Sequence, residues 1–320
     1  VYHLDPRWLP GGYVGVDVFF VISGFVVTAS LAGHGHEHLG RFLAGFYARR
    51  LARLVPALVL VLLLTTLAYV LLVPRAWFNR AAESVGQAAF WGLSNWTLDR
   101  HAINYFEPRA ELNPFTHTWS LGVEEQFYLA APLLLFAALR AGAPPRSRRA
   151  AVGVVALLAL ASLIACQALG LMQGARFVFY QVIFRFWELA AGVLLFLGLQ
   201  PVRALCARWD AGGGRTAWCG LLLVLAAMLA PRPEAYPLVR AALAVAGTLL
   251  LIGPAPSNPV DGLRRRLAAA GPVWLGERSY ALYLWHWPVY VLARWTVGLA
   301  QPPMLVLAPA LSLLVPELEI

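Results

Sequence analysis

Long, uninterrupted apolar runs alternate with short stretches rich in arginine, glycine and proline along the whole chain. The clearest runs cover 54–73, 150–170, 178–199 and 278–299. Less clean ones cover 14–31, 118–139, 216–231, 237–253 and 302–320. None shows the every-other-residue alternation of a barrel strand. A segment this long and apolar can satisfy its backbone hydrogen bonds inside lipid only as a helix. The pattern therefore predicts an all-α fold. With ~20 residues needed per crossing, it predicts a polytopic integral membrane helical bundle of about nine or ten spans. A further stretch, 81–97, is weaker and carries Glu83, Gln87 and Asn95.

Composition agrees. Of 320 residues, 60% are hydrophobic and 13% charged, against about 45–50% and about 25% in soluble domains. A water-soluble enzyme, a disordered tail and a fibrous protein are excluded. The net charge is +9 and every basic residue is arginine. The arginines sit between apolar runs, so they point to membrane orientation and phosphate contacts, with lipid as a partner and no nucleic acid. Loops 32–53, 140–149, 200–215 and 254–278 hold 15 arginines, whereas 1–13, 74–117, 171–177 and 231–236 hold 7. The first set is expected on the cytoplasmic side of a plasma (inner) membrane. That parity requires 81–97 to be re-entrant or interfacial. Cys166, Cys206 and Cys219 have no metal or disulfide spacing. No internal repeat is visible, which weighs against transporter folds built from duplicated halves.

Charges inside spans cost at least ~2.5–3.5 kcal/mol at a helix centre, so each raises a functional question. Asp17 opens its span. Arg185 and Glu188, spaced i,i+3, can pair on one helix face. His117, Leu121, Glu124 and Tyr128 share one face of the 117–139 helix, while Glu125 points about 100° away. One glutamate is expected inside the bundle and the other at an interface. His286 lies too deep in its segment for an aromatic belt. Arg49, Arg50 and Arg53 can form one helical cationic patch suited to phosphate. The histidines of GHGHEH (His34, His36 and His38) resemble a metal-binding tract. A flexible loop organises ligands poorly, so no metal site is expected.

Five stretches taken together resemble the membrane-bound acyltransferase-3 family, the O-acetylases of surface polysaccharides and peptidoglycan. They are LPGGYVGVDVFFVISGFVVT (9–28), FYARRLARLVPA (46–57), YFEPRAELNPFTHTWSLGVEEQFYL (105–129), FRFWELAAGVLL (184–195) and SYALYLWHWPV (279–289). The resemblance implies a single transmembrane acyltransferase domain over 1–320. It implies transfer of an acyl group, usually acetyl, from cytoplasmic acetyl-CoA or another acyl-CoA. The acceptor would be a hydroxyl of an extracytoplasmic glycan: lipopolysaccharide, peptidoglycan or exopolysaccharide. His3 matches the histidine of the family's arginine-spacer-histidine signature and is implied to deprotonate the acceptor. Ser23, Gly24 and Phe25 match the serine-glycine-phenylalanine stretch. Arg49, Arg50 and Arg53 match the acyl-CoA-associated basic motif.

The signature's arginine would lie eleven residues before His3, outside the sequence, so the N-terminal helix is expected to be truncated. The soluble C-terminal esterase-like domain of one branch is not expected either. The last span, LSLLVPELEI, lacks the family's usual tyrosine-glutamate-proline ending.

On this reading, acyl-CoA docks on the arginines and its arm threads outward between helices to His3. Asp17 orients His3, with Glu124 or Glu125 in a catalytic role. Trp119 and Ser120 are candidates for oxyanion stabilisation, and Glu188 and His286 for substrate contacts. A transporter of glycan or lipid-linked sugar, and a catalytically inactive homologue, are the competing readings.

Overall fold

A computed structural model of the chain describes residues 2–5, 7–33, 38–78, 80–101, 108–210, 214–230, 238–253 and 262–298. Among these residues there are helices and no strands. The order is α1 (Gly15–Gly33), α2 (Leu39–Leu72), α3 (Arg80–Ala89), α4 (Ser94–Arg100), α5 (Pro108–Glu111), α6 (Trp119–Leu139), α7 (Pro145–Gln173) and α8 (Ala175–Phe179). Then follow α9 (Val182–Leu197), α10 (Leu199–Asp210), α11 (Arg215–Leu229), α12 (Leu238–Ile252), α13 (Gly262–Leu267), α14 (Ala270–Glu277) and α15 (Ser279–Thr296).

Five stretches are long and apolar enough to cross a membrane: Gly12–Gly33, Leu39–Leu72, Thr116–Leu139, Pro145–Gln173 and Phe177–Leu197. Helices α11 and α12 are shorter apolar helices, and α15 adds another apolar element. The protein is thus a helical membrane bundle. The apolar run 302–320 lies outside the described residues.

Helix α2 begins at Leu39, well before its apolar run. The expected loop over 32–53 is therefore largely helical. Its Leu, Ala and Arg residues are strong helix formers, and Phe42 and Phe46, one turn apart, are buried. Phe42 meets Phe136 of α6 edge-on at 5.3 Å. The weak stretch 81–97 is not one helix. Helices α3 and α4 meet at Gly92, whose φ of 66° is the left-handed region that glycine tolerates.

Small residues let the central helices touch. A Cβ on Gly24 would strike the Leu189 carbonyl, and one on Gly192 would strike the Val21 carbonyl. Helices α1 and α9 therefore pack backbone to backbone, as small residues allow in membranes. Phe20, Trp119, Phe127, Leu135 and Leu189 fill the core around this contact. Large apolar side chains such as Leu63, Leu67, Leu157 and Ile164 remain exposed on α2 and α7. On a membrane bundle, that outward face suits lipid.

Candidate active site

Three imidazoles converge at one end of the bundle. His3 lies 5.7 Å from His286 and 4.6 Å from the Trp287 ring, measured between ring centroids. His117 lies 6.0 Å from His286 and stacks on Trp287 at 6.4 Å. His117 is buried, and neither ring nitrogen has a hydrogen-bond partner in normal geometry among the described residues. His286 Nδ1 sits 2.7 Å from the Tyr283 carbonyl. A carbonyl only accepts, so Nδ1 carries the hydrogen and Nε2 is left as the basic nitrogen.

The chain around this cluster is tied down by α15. Trp287 Nε1 donates to the Asn113 carbonyl at 2.8 Å, and Trp295 Nε1 donates to the Leu112 carbonyl at 3.0 Å. Arg294 Nη2 donates to the His3 carbonyl at 2.6 Å. Burial, and after it the charges of His286 and Arg294, holds the His3 imidazole well below its ordinary value of 6.5. His3 is therefore neutral at pH 7, the form that can accept a proton.

Helix α6 leads away from this cluster as a polar row. Tyr283 Oη donates to the His117 carbonyl at 2.7 Å and lies 2.5 Å from Ser120 Oγ. One turn on, Ser23 Oγ of α1 donates to Glu124. Tyr128 Oη is 3.3 Å from the same Ser23 oxygen. The Arg50 guanidinium of α2 lies over the Tyr128 ring, 4.4 Å from its centroid. From His117 to Tyr128 the row rises about 16 Å at 1.5 Å per residue. Ser23, Ser120 and Glu124 are buried. The row is thus packed with side chains, and an acyl-CoA arm can follow it only if helices part.

At the Arg50 end, Tyr47 Oη donates to the Leu129 carbonyl at 3.2 Å, and Tyr280 Oη donates to the Leu54 carbonyl at 3.1 Å. These bonds fasten α2 to α6 and α15. Arg49 and Arg53 are exposed and Arg50 is half-buried. None of the three pairs with a carboxylate among the described residues. A guanidinium patch with no carboxylate in ion-pair contact among the described residues, beside a polar row, suits an anionic, phosphate-bearing ligand.

The row joins residues from four of the five stretches of sequence, 9–28, 46–57, 105–129 and 279–289, and the chain as a whole matches a known family. Residues 2–316 match the model of family Acyl_transf_3, described as an acyltransferase domain. The chain belongs to this acyltransferase-3 family. It is 30% identical over 309 residues to the putative peptidoglycan O-acetyltransferase YrhL of Bacillus subtilis, covering 94% of this chain and 48% of the relative. It is 29% identical over 308 residues to the peptidoglycan O-acetyltransferase OatA of Listeria monocytogenes, again covering 94% and 48%. To O-acetyltransferase OatA of Staphylococcus aureus it is 30% identical, covering 92% and 48%. The chain spans about half the length of these curated relatives. No solved structure matches it.

The remaining candidates fall into two groups. Asp17, Glu188 and Trp119 surround Arg185. Arg185 Nη2 lies 2.5 Å from Asp17 Oδ1, and Nη1 lies 3.2 Å from Glu188 Oε1. The expected i,i+3 pair therefore forms. Asp17, expected to orient His3, has its carboxylate engaged by Arg185. Rings of Phe20, Trp119 and Phe179 enclose the guanidinium at 5.5–5.7 Å. Trp119 thus packs on a cation.

The second group faces other helices. Gly24 packs on α9, as described, and Phe25 meets Phe196 edge-on at 5.5 Å. Glu124 and Glu125 separate as expected, the first buried and the second half-buried. Glu125 lies against the Gly92 turn, where a Cβ would strike its carboxylate. It is not brought to the Ser23 end of the row.

His34 and His36 lie outside the described residues. Among the described residues, no group of three or more His, Cys, Asp or Glu side chains is placed to hold a metal. His117, Tyr128, Tyr283 and Arg294 are residues of the site that sequence reasoning passed over, and His117 is the one with a visible signal. Its signal was there: it shares a helix face with Glu124 and Tyr128.

Proposed function

We propose that this protein is a multi-pass membrane O-acetyltransferase, moving an acetyl group from acetyl-CoA to a hydroxyl of a cell-envelope glycan, with peptidoglycan the first acceptor to test. The observation that carries the reading is the polar row of α6, which links the Arg50 side to the three imidazoles. The similarity to peptidoglycan O-acetyltransferases of Bacillus subtilis and Listeria monocytogenes supports peptidoglycan as the acceptor.

Arg49, Arg50 and Arg53 hold the phosphates of the donor on the cytoplasmic side of the plasma membrane, as the arginine-rich loops suggest. The acceptor hydroxyl binds among His3, His117 and His286. Neutral His3 takes its proton as the hydroxyl oxygen attacks the acyl carbonyl. His286, with Nδ1 committed to Tyr283, presents Nε2 to the same space. The thioester carbonyl becomes an oxyanion, for which the Ser120 hydroxyl is a candidate donor on the row, the Tyr283 hydrogen being given to the His117 carbonyl.

Purified protein in nanodiscs, given acetyl-CoA and peptidoglycan fragments, should release free CoA and yield O-acetylated fragments in equal amounts. Movement of unmodified glycan across sealed vesicles with no CoA release would contradict the reading and favour a transporter.

A further inference from the structure

Hydroxyl side chains in membrane helices commonly turn back to the carbonyl one turn earlier. Thr28 does so to Gly24 and Thr248 does so to Ala244, both at 2.7 Å. Ser23 behaves differently. Its hydroxyl donates across the bundle to the Glu124 carboxylate, and both residues are buried. Tyr128 Oη stands 3.3 Å from the same oxygen, and Arg50 covers the Tyr128 ring. A serine bonded to a carboxylate base, beside a third polar group, is the arrangement of an activated nucleophile. It stands on the donor side of the row. Along α6, Glu124 is about 6 Å from the level of Tyr128 and about 10 Å from that of His117.

The geometry points to Ser23 as a covalent carrier of the acyl group, with Glu124 as its base. This rests on the acyl-transfer reading above. In the first half-reaction Ser23 Oγ attacks the thioester carbonyl and its proton passes to Glu124. The carbon–sulfur bond breaks, leaving a seryl ester and CoA thiolate, which takes a proton from cytoplasmic water. In the second, the glycan hydroxyl attacks the seryl ester, and its proton reaches His3 through water admitted as the Ser120–Tyr283 pair parts. Ser23 leaves as the alkoxide and recovers the proton from Glu124, and His3 loses its proton to water on the acceptor side. The sum is one acyl group transferred and one CoA thiol formed. A covalent stop at Ser23 also shortens the donor's path, because the thioester then needs to pass only Tyr128. The hydrogen-bonded Ser120–Tyr283 pair lies between Ser23 and the imidazoles and must part for the acceptor to arrive.

The test is isotope exchange without acceptor. Purified protein in nanodiscs is mixed with acetyl-CoA and radiolabelled free CoA, and label entering acetyl-CoA is followed. The carrier predicts exchange in the native protein and its loss by more than about 1000-fold in Ser23→Ala, on the scale set by removing a nucleophile. Ser23→Cys should keep the exchange, through a thioester. The Ser23 peptide of acid-quenched native protein should carry an acetyl mass, which requires no folded variant. Glycan acetylation that proceeds without exchange and without an acetylated Ser23 peptide overturns the carrier and leaves the acyltransferase reading standing. Absence of both exchange and glycan acetylation overturns that reading, and the carrier with it.

Discussion

Arg294, near the end of α15, donates to the backbone carbonyl of His3 at 2.6 Å, so the last described helix holds the first described residues in place. Its other nitrogen reaches the Glu111 carbonyl at 3.3 Å. Arg294 is thus a positioning residue that acts through His3 and the 111–113 segment. Arg294→Ala is expected to lower kcat by up to about 100-fold, the scale of a 1 Å misplacement. The KM for acetyl-CoA should hold, because the arginine patch is at the other end of the row. Steady-state kinetics with Arg294→Lys, which keeps a donor, should recover part of the loss. A rise in KM with unchanged kcat would place Arg294 in donor binding instead.

The pH profile follows from the state of His3. Burial, then His286 and Arg294, depresses its imidazole below the ordinary 6.5. The base works when neutral, so activity is full above the depressed value and falls as pH drops through it. The acid limb of kcat/KM should therefore sit below 6.5. Arg294→Ala should move that limb upward, toward the ordinary value. Stability follows the same sign. Between the depressed and the ordinary value the unfolded chain binds the proton and the folded chain does not, so stability rises with pH across that window and is lost as pH drops through it.

The Asp17–Arg185–Glu188 group fastens α1 to α9, and the three side chains are 4% exposed or less. Removing one partner of a buried pair typically costs about 3–5 kcal/mol, because the survivor stays charged and unpaired. Arg185→Met strands two carboxylates and should sharply lower the unfolding temperature in detergent. Asp17→Asn should cost less, since its amide oxygen still accepts from Arg185 and Glu188 still pairs. Equal losses in thermal unfolding would contradict this asymmetry.

Arg50 has its guanidinium over Tyr128 and no carboxylate partner among the described residues. A charge-assisted hydrogen bond is worth about 1.5–3 kcal/mol. Arg50→Ala should therefore raise the KM for acetyl-CoA by about 10–100-fold. Arg50→Lys keeps the charge but loses the planar fork, and should fall in between. Titration of CoA binding checks this, and unaltered affinity in Arg50→Ala would remove the arginine from the donor site.

Much of this arrangement could be read along the chain. Apolar run lengths indicated a helical bundle, i,i+3 spacing paired Arg185 with Glu188, and the 100° step between Glu124 and Glu125 separated their surroundings. Each of these is a property of one helix. Contacts between helices were out of reach. The Asp17–Arg185 bond joins residues 168 apart and the Ser23–Glu124 bond joins residues 101 apart. Packing through Gly24 and Gly192 brings α1 and α9 together. The helical start of α2 was hidden for another reason. Hydropathy marks where a segment enters lipid, while arginine, leucine and alanine extend the helix beyond that point.

The most direct test of the account is acetyl transfer by His3→Ala in sealed inside-out membrane vesicles supplied with radiolabelled acetyl-CoA. Label on the glycan should fall by about 10²–10⁴-fold, the usual contribution of a positioned general base, while the protein still inserts and binds CoA. Transfer at the native rate by His3→Ala would contradict the account.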